Sequence, residues 1–305
     1  MRRFSPRPPW STRPWRKSLP EATITPMAGL EALLEEPGPS AEALKRGVRR
    51  NFARRAGTYD RHAAVQRCMG RELLARSAGA VTEARRLLEI GCGTGYLTAE
   101  LRRLNPRALL VAVDLDRTLL EAARGRLSPD RRNLWLMADG ETLCRGDFDL
   151  IIANATFQWF AHPRRTIANL WECLNFGGML AFSTLGPGTF RELADCLARA
   201  GDRLERRPPA IPAARFLAAP EWRDLLTAAG FDELEMVVAT LTVAYPDVRE
   251  FLLTLRATGA TNPRPQPFSH RFLSTLSEIY RQRYGGDDGI PATYDILWVT
   301  ARKQS

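Results

Sequence analysis

The stretch Glu89-Ile90-Gly91-Cys92-Gly93-Thr94-Gly95 decides the fold of this chain. It follows a short apolar run at 86–90, typical of a buried strand, and it opens a helical pattern at 94–104. Glycines at such a junction let the backbone turn sharply and bring its N–H groups against a ligand. The spacing is G-x-G-x-G and differs from the G-x-G-x-x-G of dinucleotide-binding folds. On its own, the loop is also compatible with a plain tight turn.

Strand and helix patterns alternate after this loop. Short apolar runs predict strands at 109–113, 133–138, 148–153 and 179–184, separated by helical patterns of about ten residues. Two further strands, predicted at 233–245 and 294–301, bring the total to seven. Such alternation is typical of a mainly parallel sheet covered by helices on both faces. The predicted fold class is therefore α/β, a doubly wound, Rossmann-like sheet of seven strands.

The chain divides into parts of different composition. Residues 1–46 are rich in Arg and Pro, which predicts a disordered extension. Residues 47–302 are predicted to form one domain, with a helical segment at 47–79 ahead of a core at about 85–185. Two helical patterns lie between the last two strands. This insertion, at about 246–285, is expected to form a lid over the carboxyl edge of the sheet, where ligands bind in such folds.

Two carboxylates at later strand ends strengthen the interpretation of the glycine loop. Asp114 follows the second predicted strand, where an acid can accept hydrogen bonds from both ribose hydroxyls of a nucleotide. Asp139 follows the third strand and could accept a hydrogen bond from an adenine amino group. Together these features predict a site for an adenosyl cofactor. The predicted cofactor-binding set is Glu89, Gly91, Gly93, Gly95, Asp114, Leu115, Asp139, Gly140 and Asn154.

The loop, the two acids and the strand order resemble the class I S-adenosylmethionine (SAM)-dependent methyltransferases over residues 87–184, and the resemblance implies SAM as cofactor. Members that methylate amino groups of bases or glutamine carry (Asp/Asn)-Pro-Pro-(Tyr/Phe) after the fourth strand. This chain has Asn154-Ala155-Thr156-Phe157-Gln158-Trp159 there. Methylation of a pyrimidine carbon needs a cysteine nucleophile, commonly after proline, and the sequence contains no Pro-Cys. Oxygen acceptors remain.

Further motifs resemble one family within this class. They are Phe52-x-x-x-Ala56-x-x-Tyr59-Asp60-x-x-Ala63-x-x-Gln66, Gln158-Trp159, Phe182-Ser183-Thr184-Leu185, Leu255-Arg256-x-x-Gly259-Ala260 and Pro291-x-Thr293-Tyr294. From about 48 to 302 the chain resembles the malonyl-[acyl-carrier protein] O-methyltransferases of biotin synthesis. The resemblance implies esterification of the free malonyl carboxylate. Fatty-acid synthesis would then extend the resulting methyl ester to a pimeloyl methyl ester.

Four residues are candidates for holding the acceptor. A malonyl carboxylate is ionised near neutral pH, so it needs alignment with the methyl donor and exclusion of water rather than a catalytic base. Tyr59 and Gln158 would be neutral donors, Arg256 a charged donor, and Tyr294 a further hydroxyl, with Trp159 as a pocket wall. Each also has a structural interpretation, as a core aromatic, a helix cap or a surface charge.

Charge and composition limit the kinds of partner that are expected for this chain. The net charge is +10, but six of the basic residues lie in the first twenty, so the total says little about nucleic acid, and none is expected as a partner. No apolar stretch is long enough to span a membrane, and the five cysteines are scattered without metal-ligand spacing. A cytoplasmic monomer without a metal is therefore expected.

An acidic acyl carrier protein would need a basic surface on this chain. Two arginine clusters could provide one: Arg49, Arg50, Arg54 and Arg55, and Arg203, Arg206 and Arg207. Malonyl-coenzyme A is an alternative carrier of the malonyl group. Three other functions stay open from sequence: a methyltransferase for small acids or quinone precursors, a non-methylating relative that assembles respiratory complexes, and an RNA methyltransferase.

Overall fold

Seven strands form one sheet through the middle of the protein. The computed structural model describes residues 41–53, 56–143, 146–258 and 269–304. The sheet order is β3-β2-β1-β4-β5-β7-β6. Within this part of the chain the pairs among β1 to β5 are parallel, whereas β7 runs antiparallel to both of its neighbours, β5 and β6. The predicted fold class is confirmed. The strands are β1 (Arg86–Ile90), β2 (Leu109–Asp114), β3 (Asn133–Met137), β4 (Phe148–Asn154), β5 (Leu174–Leu185), β6 (Asp232–Tyr245) and β7 (Ile290–Arg302).

Helices precede the sheet and connect its strands. Four come before β1, three link the parallel strands β1 to β5, two lie between β5 and β6, and two between β6 and β7. In chain order they are α1 (Ala41–Ala53), α2 (Ala56–His62), α3 (Ala64–Arg76), α4 (Ala78–Glu83), α5 (Tyr96–Leu104), α6 (Arg117–Arg126), α7 (Pro163–Glu172), α8 (Arg191–Arg203), α9 (Ala219–Ala228), α10 (Val248–Ala257) and α11 (His270–Tyr284).

Both faces of the sheet are buried, which explains why its central strands are nearly continuous apolar runs. In β1, Leu87 packs in a cluster on one face together with Leu150, whereas Leu88 packs on the other face together with Ile151. Successive side chains of a strand point to opposite faces, so adjacent leucines enter different layers. Each fully buried leucine contributes about 1.5–3 kcal/mol.

The strands β1 to β4 end together at one edge of the sheet. Their register pairs Ile90 with Val113 and Asp114 with Met137. The last residue of β4, Asn154, pairs with Ser183 of β5. The connections after these strands therefore meet at the carboxyl edge, which is where open α/β sheets bind ligands.

The beginning of the chain differs from the sequence prediction. Helix α1 starts at Ala41, whereas the helical segment is predicted from Gly47. The rest of the predicted extension, residues 1–40, lies outside the described residues. The predicted insertion corresponds to α10 and α11, and residues 259–268 between them are likewise not described. None of the helices that the structure describes has the length and apolarity needed to cross a membrane.

Candidate active site

The glycine loop after β1 adopts a backbone that only glycine enters easily. Gly91, Gly93 and Gly95 have φ of 71°, 55° and 82°, in the left-handed region. A Cβ at Gly91 would collide with the Thr156 side chain, and one at Gly95 would lie 2.7 Å from Ala123 Cα. At Gly93 there is nothing within 4 Å of the Cβ position. The loop is therefore packed tightly at both ends, while its middle presents bare backbone to open space.

Asp114 connects the end of β2 to this loop. Its Oδ2 accepts a hydrogen bond from the Gly93 N–H at 2.9 Å, and its Oδ1 accepts one from the Asp116 N–H at 3.0 Å. Burial raises the pKa of Asp114 to about 6, although these backbone bonds pull the pKa down. The acid thus holds the turn and the loop in one arrangement.

A pocket opens at this edge of the sheet. Seven of the nine predicted cofactor residues line it directly, with Gly91 and Gly93 at one side. The lining members of the predicted set are Gly91, Gly93, Asp114, Leu115, Asp139, Gly140 and, at the end of β4, Asn154. Asn154 is itself held by Gln66, whose carbonyl accepts from Asn154 Nδ2 at 3.0 Å, and by the Ser183 hydroxyl, which donates to its Oδ1 at 2.6 Å.

Glu89 and Gly95 do not line the main pocket. The Glu89 side chain is 1% exposed and lies beside a smaller cleft under the glycine loop. Burial, and then the nearby charge of Asp114, raises the pKa of Glu89 to about 8. Gly95 permits close packing of the loop on α6. Both residues support the pocket from behind its wall.

One wall of the pocket comes from α1, which sequence reasoning missed. Lys45, Val48, Arg49 and Phe52 all line the pocket. Their spacing of three, one and three residues places them on one face of a helix. This periodicity is visible in the sequence, but the predicted boundary at 46/47 cut through it.

A second, smaller cleft adjoins the first and shares Phe52, Tyr59 and Trp159 with it. Burial, and then the charges of Asp60 and Asp114, raises the pKa of Tyr59 well above its ordinary value, so its hydroxyl stays protonated. The described residues that line this second cleft include no carboxylic acid, lysine, arginine or histidine. They are Phe52, Tyr59, Gln66, Ala155, Gln158, Trp159, Leu185, Phe190, Pro212, Phe216 and Thr258.

Two of the four predicted acceptor residues, Tyr59 and Gln158, lie in this second cleft. Gln158 Nε2 donates to the Ala155 carbonyl at 2.8 Å, and its Oε1 accepts from the Thr184 hydroxyl at 3.1 Å. These two bonds fix the amide and leave its second N–H available for a ligand.

The other two predicted acceptor residues lie away from both clefts. Tyr294 is 4% exposed, shares a hydrogen bond of 2.9 Å with the Tyr245 hydroxyl, and packs edge-on against Phe190. Since Phe190 lines the second cleft, Tyr294 stands one layer behind it. Arg256 is exposed on α10, two residues before the cleft residue Thr258.

Comparison with known proteins agrees with this architecture. A family model described as "Methyltransferase domain" matches residues 88–180. The fold is similar to the crystal structure of the N-methyltransferase NodS from Bradyrhizobium japonicum WM9 in complex with S-adenosyl-L-homocysteine, with a TM-score of 0.51. That similarity covers 85% of this chain and 100% of the other at 17% identity, which speaks for the fold alone. The strand order and the glycine loop, with these matches, define a class I methyltransferase.

Similarity to full-length relatives shows which family within this class the chain matches. The chain is 38% identical over 269 residues to the malonyl-[acyl-carrier protein] O-methyltransferase of Halalkalibacterium halodurans, covering 84% of this chain and 97% of that protein. It is 34% identical to the protein of the same name from Geobacter sulfurreducens, over 85% of this chain and 99% of the other. The chain belongs to the malonyl-[acyl-carrier protein] O-methyltransferase family. The resemblance inferred from the motifs is thereby confirmed.

Proposed function

We propose that the protein transfers the methyl group of SAM to the free carboxylate of a malonyl group carried as a thioester on acyl carrier protein. The observation that carries this proposal is the second cleft, which joins the main pocket and has no charged side chain among its described lining residues. A site of this kind suits an acceptor that brings its own charge and needs no base. The names of the full-length relatives supply the malonyl group and its carrier.

The main pocket fits the cofactor. The open space at Gly93 lets a ligand approach the backbone where a side chain would stand in the way. Asp114 and Asp139 line this pocket and would accept hydrogen bonds from ribose hydroxyls and from an adenine amino group, as acids at these strand ends do in nucleotide-binding sheets. Bound there, SAM would supply a methyl group on a positively charged sulfur. Leu115, Gly140 and Asn154 complete the walls.

In the reaction, a malonyl carboxylate oxygen forms a bond to the methyl carbon as the carbon–sulfur bond breaks. The products are a methyl ester and S-adenosylhomocysteine (SAH). No proton has to move, because the carboxylate is already ionised near neutral pH. The protein's part is to align the oxygen behind the methyl group and to keep water away.

Tyr59 and Gln158 are the residues we assign to aligning the acceptor. Both are neutral donors in the second cleft, so they can hold a carboxylate without removing its negative charge. Phe52 and Phe216 pack edge-on against Trp159 at centroid distances of 6.0 and 5.8 Å and give the cleft an aromatic wall that excludes water.

Arg256 and Tyr294 would act in other ways. Tyr294 would position Phe190 in the cleft wall rather than touch the acceptor. The exposed Arg256 would meet the carrier protein or the thioester arm as it enters beside Thr258. The resemblance further implies that the ester product enters biotin synthesis as a primer for a pimeloyl chain.

The proposal is tested by SAH release with two carrier-protein substrates. Malonyl carrier protein and acetyl carrier protein differ in the free carboxylate that the reaction needs. We expect SAH to accumulate with the malonyl form and to stay at the background rate with the acetyl form. Equal rates with both forms, or no release with the malonyl form by SAM-binding protein, would refute methyl transfer to the malonyl carboxylate.

A further inference from the structure

Helix α1 closes one side of the cofactor pocket, although it precedes the α/β core in the sequence. The residues of its inner face, Lys45, Val48, Arg49 and Phe52, stand opposite the strand ends that carry Gly91, Asp114 and Asp139. The helix also packs against α6. A ligand in the pocket would therefore lie between α1 and the edge of the sheet.

Lys45 ties α1 to that edge by two ion pairs. Lys45 Nζ forms an ion pair of 2.5 Å with Asp139 Oδ2 and a second ion pair with Glu141. Glu141 is 4% exposed, and its Oε1 also accepts from the His162 N–H at 2.7 Å and from the Thr166 hydroxyl at 3.2 Å. Lys45 is thus tied to a segment that α7 already holds in place.

Because Lys45 is partly buried, its ion pairs stabilise the position of α1 more than a surface ion pair would. Its side chain is 20% exposed, and that of Asp139 is 24% exposed. Burial lowers the pKa of Lys45, but the bonds to Asp139 and Glu141 outweigh it, so the pKa is raised and the ammonium stays charged. Removing the ammonium would leave the largely buried Glu141 without this partner, which is the costly way to break a buried pair.

The far end of α1 is held by aromatic packing. Phe52 lies 6.1 Å from the Tyr59 ring and 6.0 Å from the Trp159 ring, measured between centroids. The helix is therefore attached at both ends of the pocket, by charge at Lys45 and by apolar contact at Phe52.

We propose that α1 is a cover on the cofactor pocket and that Lys45 is a positioning residue that keeps the cover shut, so that its ion pairs set the residence time of SAM and SAH. This inference rests on the proposed cofactor site. With the ion pairs formed, a ligand in the pocket is enclosed between α1 and the strand ends. Release of SAH, and entry of the next SAM, then require Lys45 to separate from Asp139 and Glu141.

The test is the rate at which SAH leaves the protein, measured by stopped-flow displacement and, independently, by the equilibrium dissociation constant from calorimetry. Lys45→Met keeps the length of the side chain and removes its charge. We expect SAH to dissociate about tenfold faster or more, which corresponds to about 1.4 kcal/mol. Lys45→Arg, which keeps the charge, should restore much of the slow release.

Arg46→Met is the matched control. Arg46 is the next residue of α1, and its ion pair with Glu42 is exposed to solvent, with 68% and 85% of the two side chains accessible. Its loss should leave SAH release unchanged. If Lys45→Met does not fold, Lys45→Gln takes its place. A release rate within about twofold of wild type in the folded variant would overturn the proposal, since that change is worth less than half a kcal/mol. Wild-type protein that binds no SAH at all would instead refute the proposed cofactor site.

Discussion

Asp114 ends β2 with both carboxylate oxygens bonded to backbone, one to Gly93 in the glycine loop and one to Asp116 in its own turn. Its position after a strand was enough to predict it from sequence. The bond to Gly93 was not, because it joins residues 21 positions apart and depends on how β1 and β2 align. Asp114 would therefore have two roles, since the carboxylate that orders the glycine loop would also bind the ribose.

Glu89 shows where a motif gives a residue but not its role. The sequence placed it in the cofactor set as the first acid of the glycine-rich stretch. In the structure it points into the cleft behind the loop, where its carboxyl is 1% exposed. Whether a strand residue faces the ligand or the layer behind it follows from strand direction and twist, which local patterns do not contain.

The raised pKa of Glu89 makes stability depend on pH. With a folded-state pKa of about 8 against an ordinary value of 4.5, the folded protein binds a proton that the unfolded chain has released between these values. Stability should therefore be full below about pH 4.5 with respect to this group and fall as the pH rises towards 8. The loss is on the order of a few kcal/mol, and the raised pKa of Asp114 acts in the same direction up to about pH 6.

Glu89→Gln is expected to flatten this pH dependence, since its amide is neutral throughout. Denaturant unfolding without cofactor, measured from pH 5.5 to 8.5, checks the expectation. Glu83→Gln, at an exposed position before β1, removes the same charge and should keep the wild-type slope. A wild-type protein equally stable at both ends of this range would contradict the burial of Glu89 as an acid.

Among the elements, the parallel strands were the easiest to predict and the edges of the fold the hardest. The run at 86–90 matches β1, because both faces of that strand are buried and Leu87, Leu88 and Ile90 are apolar. The strand predicted at 179–184 is longer in the structure, because β5 already begins at Leu174 and passes through a register shift opposite Phe148 and Leu150. The pattern also did not give the reversed direction of β7, because residue alternation is the same for either direction.

Helix α1 is the element whose role depended most on the folded structure. Its inner face has a helical period in the sequence, but the preceding prolines and arginines favoured an extension. The partners of Lys45 lie more than ninety positions away in the chain, so no local pattern could indicate them. Of the arginine cluster predicted here, Arg49 and Arg50 are exposed on α1, while Arg54 and Arg55 lie outside the described residues. In the second cluster, Arg203 is paired with Glu278 of α11.

The outer faces of α1 and α2 are where we expect the carrier protein to dock. Arg50 of α1 and Arg61 of α2 are exposed next to residues of both clefts, and an acidic partner would be steered towards them. Arg50→Glu combined with Arg61→Glu should lower kcat/KM for malonyl carrier protein by about tenfold or more at low salt. The loss should shrink as salt is added, because exposed charges are screened.

Two controls accompany the Arg50→Glu and Arg61→Glu double variant, a substrate without a carrier protein and a second double variant. Malonyl-coenzyme A should be affected much less, since it has no protein surface to dock. Arg85→Glu combined with Arg107→Glu reverses the same charge just before β1 and β2, at the opposite edge of the sheet, and should behave like wild type. If the two double variants lose activity equally, the docking surface does not lie on α1 and α2.

For the whole molecule, sequence was sufficient for the class of fold and for the family, because the chain matches its relatives over nearly their full length. It also gave the part of the main pocket that follows the strand ends. It gave less of the second cleft, because Phe190, Pro212 and Phe216 lie outside the motifs used. Those residues meet only when the segments after β5 fold back over the carboxyl edge.

The measurement that tests the central claim most directly is the intact mass of malonyl carrier protein after incubation with the enzyme and SAM. Transfer to the carboxylate predicts a gain equal to one CH₂ group, and mild base should remove it with release of methanol, as expected for a methyl ester. SAM labelled in its methyl group should pass the label to the acyl arm in fragment spectra. An unchanged carrier mass, or a base-stable methyl group on the protein part of the carrier, would contradict the account.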